Sequence, residues 1–292
     1  MVFWGVVGLF TGATNGALFS SRFDNFAPHW CDFASMIGYV YPIGFTGGSL
    51  SLLRRLESIA ATRQVRQSEV ERRNTLIIDL MLGVVLPILV IPLHFIVQGH
   101  RADIIEGIGC SSPLYVSIPS IFLFQLWQTG LSLTSCVYAI LTLRWFCIRR
   151  KQFSAVLASS NSGLSVSKYL RLMGMVSTVI LIWTPLALYI LIAFTFSHQA
   201  IQPWVSWGFV HADFNEIYGY SRSEVPSNKL AVLEVGRWSG VLGALIFLSF
   251  LAFTEESLAE YKRWARNLRK VLTLRKRSNK SSGAQHDSYV SC

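Results

Sequence analysis

The chain has 292 residues, of which 52% are hydrophobic and only 14% charged, and its mean hydropathy is +0.43. A soluble domain carries about 25% charged residues, so the composition excludes an ordinary soluble fold. The net charge of +10 is not that of a nucleic-acid binder: the basic residues flank apolar stretches, and no soluble domain is long enough to carry a basic face.

Six apolar stretches follow one another at about 2–20, 33–53, 75–98, 117–143, 172–196 and 232–254. Each holds roughly 19 residues or more, enough to cross a bilayer as a helix. The fold class expected is an all-α membrane protein, a bundle of six spans over 1–254. Lys and Arg alternate between the connecting segments: one in 21–32, six in 54–74, one in 99–116, six in 144–171, three in 197–231 together with Arg237, and nine from Glu255 onward. Basic loops stay in the cytoplasm. The even loops and the C-terminus are therefore expected inside, and the odd loops outside. The lipid bilayer is the first partner.

The first stretch is short and contains Gly5, Gly8, Gly12 and Gly16. It lacks the basic leader of a signal peptide, which favours a span. The four-residue spacing of its glycines either lets a neighbouring helix approach closely or reflects how common glycine is in membrane helices. Of the five cysteines, only Cys31 and Cys110 fall on the outer side. A disulfide is permitted there and is favoured over two free outward thiols. Cys136 packs within a span. Cys147 lies just inside the membrane, as an inert thiol or an S-acylation site.

In the third stretch Asp79 lies near the cytoplasmic end, where Arg72 or Arg73 is its expected partner, and His94 is expected to pack. Intramembrane ionisable groups are functional candidates by default, but a structural hydrogen bond outranks a proton relay at Asp79. Pro42, Pro87, Pro92, Pro119 and Pro185 are expected to kink their helices. After the last stretch, 255–274 reads as a basic amphipathic helix, with Leu258, Tyr261, Ala265, Leu268 and Leu272 in one stripe. Residues 275–292 read as disordered.

No enzyme is indicated. The six histidines share no close helical face, and no phosphate-binding or nucleophile-elbow motif is present. His211 and Asp213 have no third ligand nearby, so neither a metal nor a cofactor is expected.

Several ordered segments carry a resemblance. Asn25-Phe-Ala-Pro-His-Trp-Cys-Asp32 enters the second span, and Arg54-Arg-Leu-Glu-Ser-Ile-Ala60 follows it. Phe95-Ile-Val-Gln-Gly-His-Arg101 with Asp103-Ile104 and Gly109-Cys110 is the most specific stretch. Ser159–Leu164 with Tyr169–Met173, Trp204-Val-Ser-Trp207 with His211, Glu234 with Arg237-Trp238, and Phe253-Thr-Glu-Glu256 complete the series. In order and spacing the chain resembles the fungal lipopeptide (a-factor type) mating-pheromone receptors, class D G-protein-coupled receptors, most closely those of basidiomycetes.

The resemblance implies a plasma-membrane receptor for a farnesylated peptide pheromone that activates the α subunit of a heterotrimeric G protein. It implies ligand contacts at Trp204, Trp207, His211, Phe214 and Glu234, although an interfacial aromatic belt accounts for some of these aromatics. It implies coupling at Arg54, Arg55, Arg149, Arg150 and Arg171, although the positive-inside rule alone also accounts for those charges. The six spans align with helices two to seven of a seven-helix receptor. The expectation is therefore a chain begun at an internal methionine or a truncated paralogue, with little signalling by itself. The alternatives are a small transporter or channel, or a non-signalling receptor paralogue.

Overall fold

In the computed structural model the described residues are 1–61, 68–111, 113–159, 166–196, 201–252, 262–264 and 266. They belong to two units, Met1–Leu245 and Ile246–Cys292. Helices occupy all six apolar positions. These are α1 (Val2–Leu18), α2 (Pro28–Ala61), α3 (Glu69–Val97), α4 (118–159), α5 (Val166–Phe196) and α7 (Ser227–Phe247), with a short α6 (Trp207–Val210) before the last. Among the described residues, three segments, Glu69–Val97, Ile118–Ile148 and Ser227–Phe250, are long and apolar enough to cross a membrane; Val2–Leu18 and Ile180–Ala193 are shorter apolar helices. Only 11% of the apolar window of α3 is buried in the protein, and Leu76, Leu80, Val84 and Ile88 are exposed along it. Such a face is satisfied by lipid and not by water.

The helices run past the apolar windows. α2 spans Pro28–Ala61 where 33–53 was expected, and α4 continues to Ser159. Polar residues end the contact with lipid without ending a helix. The all-α expectation needs one correction: a three-stranded sheet, β1 (Ala102–Ile105), β2 (Gly109–Ser111) and β3 (Ile217–Tyr220), in the order β2-β1-β3. β1 pairs antiparallel with β2 and parallel with β3. The hairpin turns through Gly107 and Gly109, both at positive φ, which glycine adopts without steric cost. At Gly109 a side chain would also collide with Asn15.

Among the described residues, two apolar clusters stand out. Phe19, Cys31, Ala34, Ala102, Ile104 and Cys110 join the sheet to the ends of α1 and α2. Ile43, Leu50, Val90, Val97, Phe124 and Leu131 join α2, α3 and α4. His94 is 4% exposed and packs against Tyr39 with the rings tilted by 37° and their centroids 4.6 Å apart.

α1 docks on α2 through reciprocal glycines. Gly5 and Gly8 face Phe45 and Tyr41, while Gly44 and Gly48 face Trp4 and Met1. The expected stripe at four-residue spacing is therefore only partly used: Gly12 has nothing within 4 Å. Pro87 has no N–H for the carbonyl of Gly83, four residues earlier, and that stretch relaxes into a π-turn, Met81–Val85. The Trp4 indole donates to the orphaned Gly83 carbonyl (2.7 Å), tying α1 to α3 across the Gly44 notch.

α3 begins in a capping box, with Ser68 accepting from the Glu71 N–H and Glu71 accepting from that of Ser68. In the second unit the π-turn Leu248–Ala252 is described, and residues 262–264 and 266 are helical. The rest of the expected amphipathic helix at 255–274 and the tail at 275–292 lie outside the described residues. Cys136 and Cys147 are free thiols, the first half-buried and the second exposed.

Candidate ligand and coupling sites

At one end of the first unit the loops form a platform. Cys31 at the start of α2 and Cys110 in β2 are joined by a disulfide, with Cα atoms 5.1 Å apart. Asn15, 8% exposed near the end of α1, donates to the Cys110 carbonyl (3.2 Å) and accepts from the Trp30 indole (2.8 Å). Arg101 grips Asp32 through two bonds of 2.7 Å. The hydrogen bonds from Arg101 hold the Asp32 carboxyl below the usual range.

Asp103, 3% exposed, accepts from His100 (2.6 Å) and Lys229 (3.2 Å). Burial alone would raise its carboxyl; the His100 hydrogen bond and the Lys229 charge outweigh burial and hold it low. Arg237 of α7 donates to the Gly107 carbonyl (2.5 Å) in the β1–β2 turn.

The expected ligand residues divide here. Trp204, Trp207, His211 and Phe214 gather at the C-terminal end of α3. A helix end leaves carbonyls unsatisfied, and the loop supplies their donors. Trp204 Nε1 donates to Ile96 O (3.3 Å), the Tyr115 N–H to Val97 O (2.8 Å), and His211 Nε2 faces Phe95 O (2.7 Å). His211 Nδ1 also faces a carbonyl, that of Trp207 (2.8 Å), while its ring stacks on the Trp207 indole at 4.0 Å. A neutral imidazole donates only one of those two bonds; an imidazolium donates both.

The Trp204 indole N–H and His211 Nε2 are thus committed to the end of α3, and His211 Nδ1 to the Trp207 carbonyl. What faces outward is apolar: Trp207 is 55% exposed, Phe209 59% and Phe95 45%. Phe214 lies between the His211 and Phe95 rings. Glu234 does not join this group; it pairs with Arg222 (2.8 Å). The Asp103 cluster was missed, although His100 and Asp103, three residues apart, stand in the most specific stretch of the sequence.

At the opposite end of α2 and α3, Asp79 has partners other than those expected. Arg55 binds its Oδ2 through both Nε (2.6 Å) and Nη2, and Arg54 Nη2 lies 3.8 Å from Oδ1. Arg72 and Arg73 are nearer in sequence, but α2 packs alongside α3 and brings Arg54 and Arg55 across. The Asp79 side chain is 16% exposed and that of Arg55 49%, so the charge of Arg55 is reachable from outside the bundle. Arg171 is half-buried on α5. Arg149 and Arg150 lie on α4, with their side chains outside what is described.

A model of the pheromone A receptor family (STE3) matches residues 1–271. Pheromone receptor 2 of Mycosarcoma maydis is 37% identical over 90% of this chain and 76% of its own length. Pheromone receptor 1 of Ustilago hordei is 34% identical over 85% of this chain and 69% of its own length. The Pheromone B alpha 3 receptor of Schizophyllum commune is 31% identical over 88% of this chain, which spans only 41% of that relative. No solved structure matches.

Proposed function

We propose that this chain, which belongs to the pheromone A receptor family, is a multi-pass receptor that takes a farnesylated peptide pheromone at its disulfide end and contacts a Gα subunit at its arginine end. The observation that carries this reading is the division of labour along α3. One end of that helix is capped by the aromatic loop, with Trp207 and Phe209 left exposed beside Phe95. The other end holds the carboxylate that occupies Arg55.

The exposed aromatics offer an apolar surface to a prenyl chain, and Tyr218, exposed on β3, offers a hydroxyl to the peptide. At the far end, Arg54 and Arg55 are cations suited to the carbonyls and carboxylate at the C-terminus of an incoming helix. Binding that favours a conformer with the Arg55–Asp79 pair parted would expose them. The placement of the disulfide end outside the cell follows from the basic loops, as does the cytoplasmic C-terminus. Six spans and the plasma membrane belong to the same reading.

The test is guanine-nucleotide exchange on Gα in membranes bearing this chain, with synthetic S-farnesylated, carboxymethylated peptides as ligands. Peptide-dependent exchange that is lost without the farnesyl group supports the reading. A folded, membrane-inserted chain that binds no such peptide overturns the ligand half; binding without exchange overturns the coupling half.

A further inference from the structure

Where α2, α4 and α5 meet, midway between the two ends, the packing leaves a small space. About 20 Å³ of it admits the centre of a water molecule, more than the roughly 10–15 Å³ that one water requires. Trp183 of α5 lines this space together with Thr46 and Ser49 of α2, Ser132 and Ser135 of α4, and Thr184 of α5.

The hydrogen-bond inventory is unbalanced. The Trp183 indole N–H is buried and has no partner among the described residues, and a buried donor left unmatched is destabilising. The hydroxyls around it cannot all be counted as donors. Thr46 donates to Pro42 O (2.8 Å), Ser49 to Phe45 O (2.8 Å), Ser135 to Leu131 O (2.7 Å) and Thr184 to Ser132 O (3.4 Å). Each of these four hydroxyls has placed its hydrogen on a backbone carbonyl and keeps oxygen lone pairs to accept with; the Ser132 hydroxyl also lines the space. The Thr46 oxygen already accepts from Gln128 (2.9 Å); those of Ser49 and Ser135 remain. The wall therefore presents the unmatched indole N–H together with several hydroxyl acceptors.

We propose that this space is a binding site for one ordered water molecule, which accepts the Trp183 N–H and donates to hydroxyl oxygens of α2 and α4. The chemistry excludes other occupants of that size. No lining side chain carries charge, so nothing compensates the desolvation of an ion. A cation would also meet the indole N–H head-on, and an apolar occupant would leave that N–H unmatched.

The water makes the junction of three helices an exchangeable one. α5 carries Pro185 two residues on, which withholds an N–H from Leu181 O. A bridge through water lets α5 shift against α2 and α4 by trading solvent contacts, whereas a direct side-chain bond would have to break. The inference does not depend on which ligand or partner the receptor takes.

A structure of the full chain in lipid nanodiscs, at a resolution that shows ordered solvent, tests it directly. Density is expected about 2.9 Å from Trp183 Nε1. An empty space, or Nε1 bonded straight to a hydroxyl or carbonyl, overturns the proposal. A double-mutant cycle of Trp183→Phe and Ser135→Ala gives an independent readout. Each change is expected to lower the melting temperature by about 2–4 °C, and the pair by little more than one alone, because both remove partners of the same water. Additive shifts overturn the bridge. If Trp183→Phe fails to fold, the wild-type density still decides.

Discussion

At the disulfide end, a covalent bridge, a three-stranded sheet and the ion pairs Asp32–Arg101, Asp103–Lys229 and Arg222–Glu234 reinforce loops that share one small apolar cluster. At the arginine end, α2 and α3 meet through one carboxylate facing two guanidiniums. The contrast follows from what each end must hold. Loops have to be fixed by directional bonds, because hydrophobic burial is non-directional. Helix ends are already fixed by the packing of Ile43, Leu50 and Val90 behind them, so their charges stay available for other partners. A receptor needs a preformed surface where it reads a ligand and a surface with two accessible arrangements where it reports.

The largest expected effect breaks the rigid half of that comparison. Cys31→Ser should lower the unfolding free energy by about 2–4 kcal/mol, and reductant should bring wild type to the same melting temperature. Two unchanged melting curves would show that the platform does not lean on its bridge.

Asp103→Asn comes next, at about 1.5–3 kcal/mol, since charge-assisted bonds at a buried carboxylate are lost. Lys229→Gln should cost less, because Lys229 is 43% exposed on its side chain. A larger cost at the lysine would reverse our ranking of the two partners. Trp4→Phe removes one hydrogen bond while keeping an aromatic ring, and should cost about 1 kcal/mol. A value near zero would mean that the Gly83 carbonyl finds another donor.

At the arginine end, Asp79→Asn should move stability by about 1 kcal/mol or less, yet raise nucleotide exchange in the absence of ligand. Unchanged basal exchange at normal expression would end the case for Arg55–Asp79 as a restraint.

The smallest effect is one of pH. The Asp32 carboxyl is depressed in the folded chain, so its contribution is complete above the unfolded value of about 3.9 and is lost as pH falls through the lower folded value. The stability difference between wild type and Asp32→Asn should stay level from pH 7 to 5 and shrink only below about 4. A decline that begins at pH 6 would contradict the assignment.

The helices were legible because lipid demands long apolar runs, and a run of that length leaves little else to be. The sheet was not: β1 and β2 have four and three residues, too few for alternation to register, and β3 lies far along the chain from β1. The partner of Asp79 was misread for a related reason. Sequence distance favours Arg72 and Arg73, whereas the choice of Arg54 and Arg55 depends on which helices adjoin, and hydropathy does not encode adjacency. The crowding of Trp204, Trp207, His211 and Phe214 was plain. That two of them cap α3 was hidden, because it needs the place where α3 ends relative to a loop more than 100 residues later. The proline rule could have found one contact in advance: Pro87 guarantees an orphaned carbonyl at Gly83, and Trp4 is an unspent donor on a helix rich in glycine.

That Trp4–Gly83 bond spans 79 residues, and it sets an order on biogenesis. Translation at about 5–20 residues per second puts roughly 4–16 s between the emergence of the indole and that of its acceptor. Through that interval the Trp4 indole N–H lacks its acceptor, because the Gly83 carbonyl lies on α3. α1 is thus made well before the helix that locks it. Ribosome-stalled chains ending before Gly83 should leave position 4 open to crosslinking with lipid or the insertion machinery, and chains extended past α3 should close it.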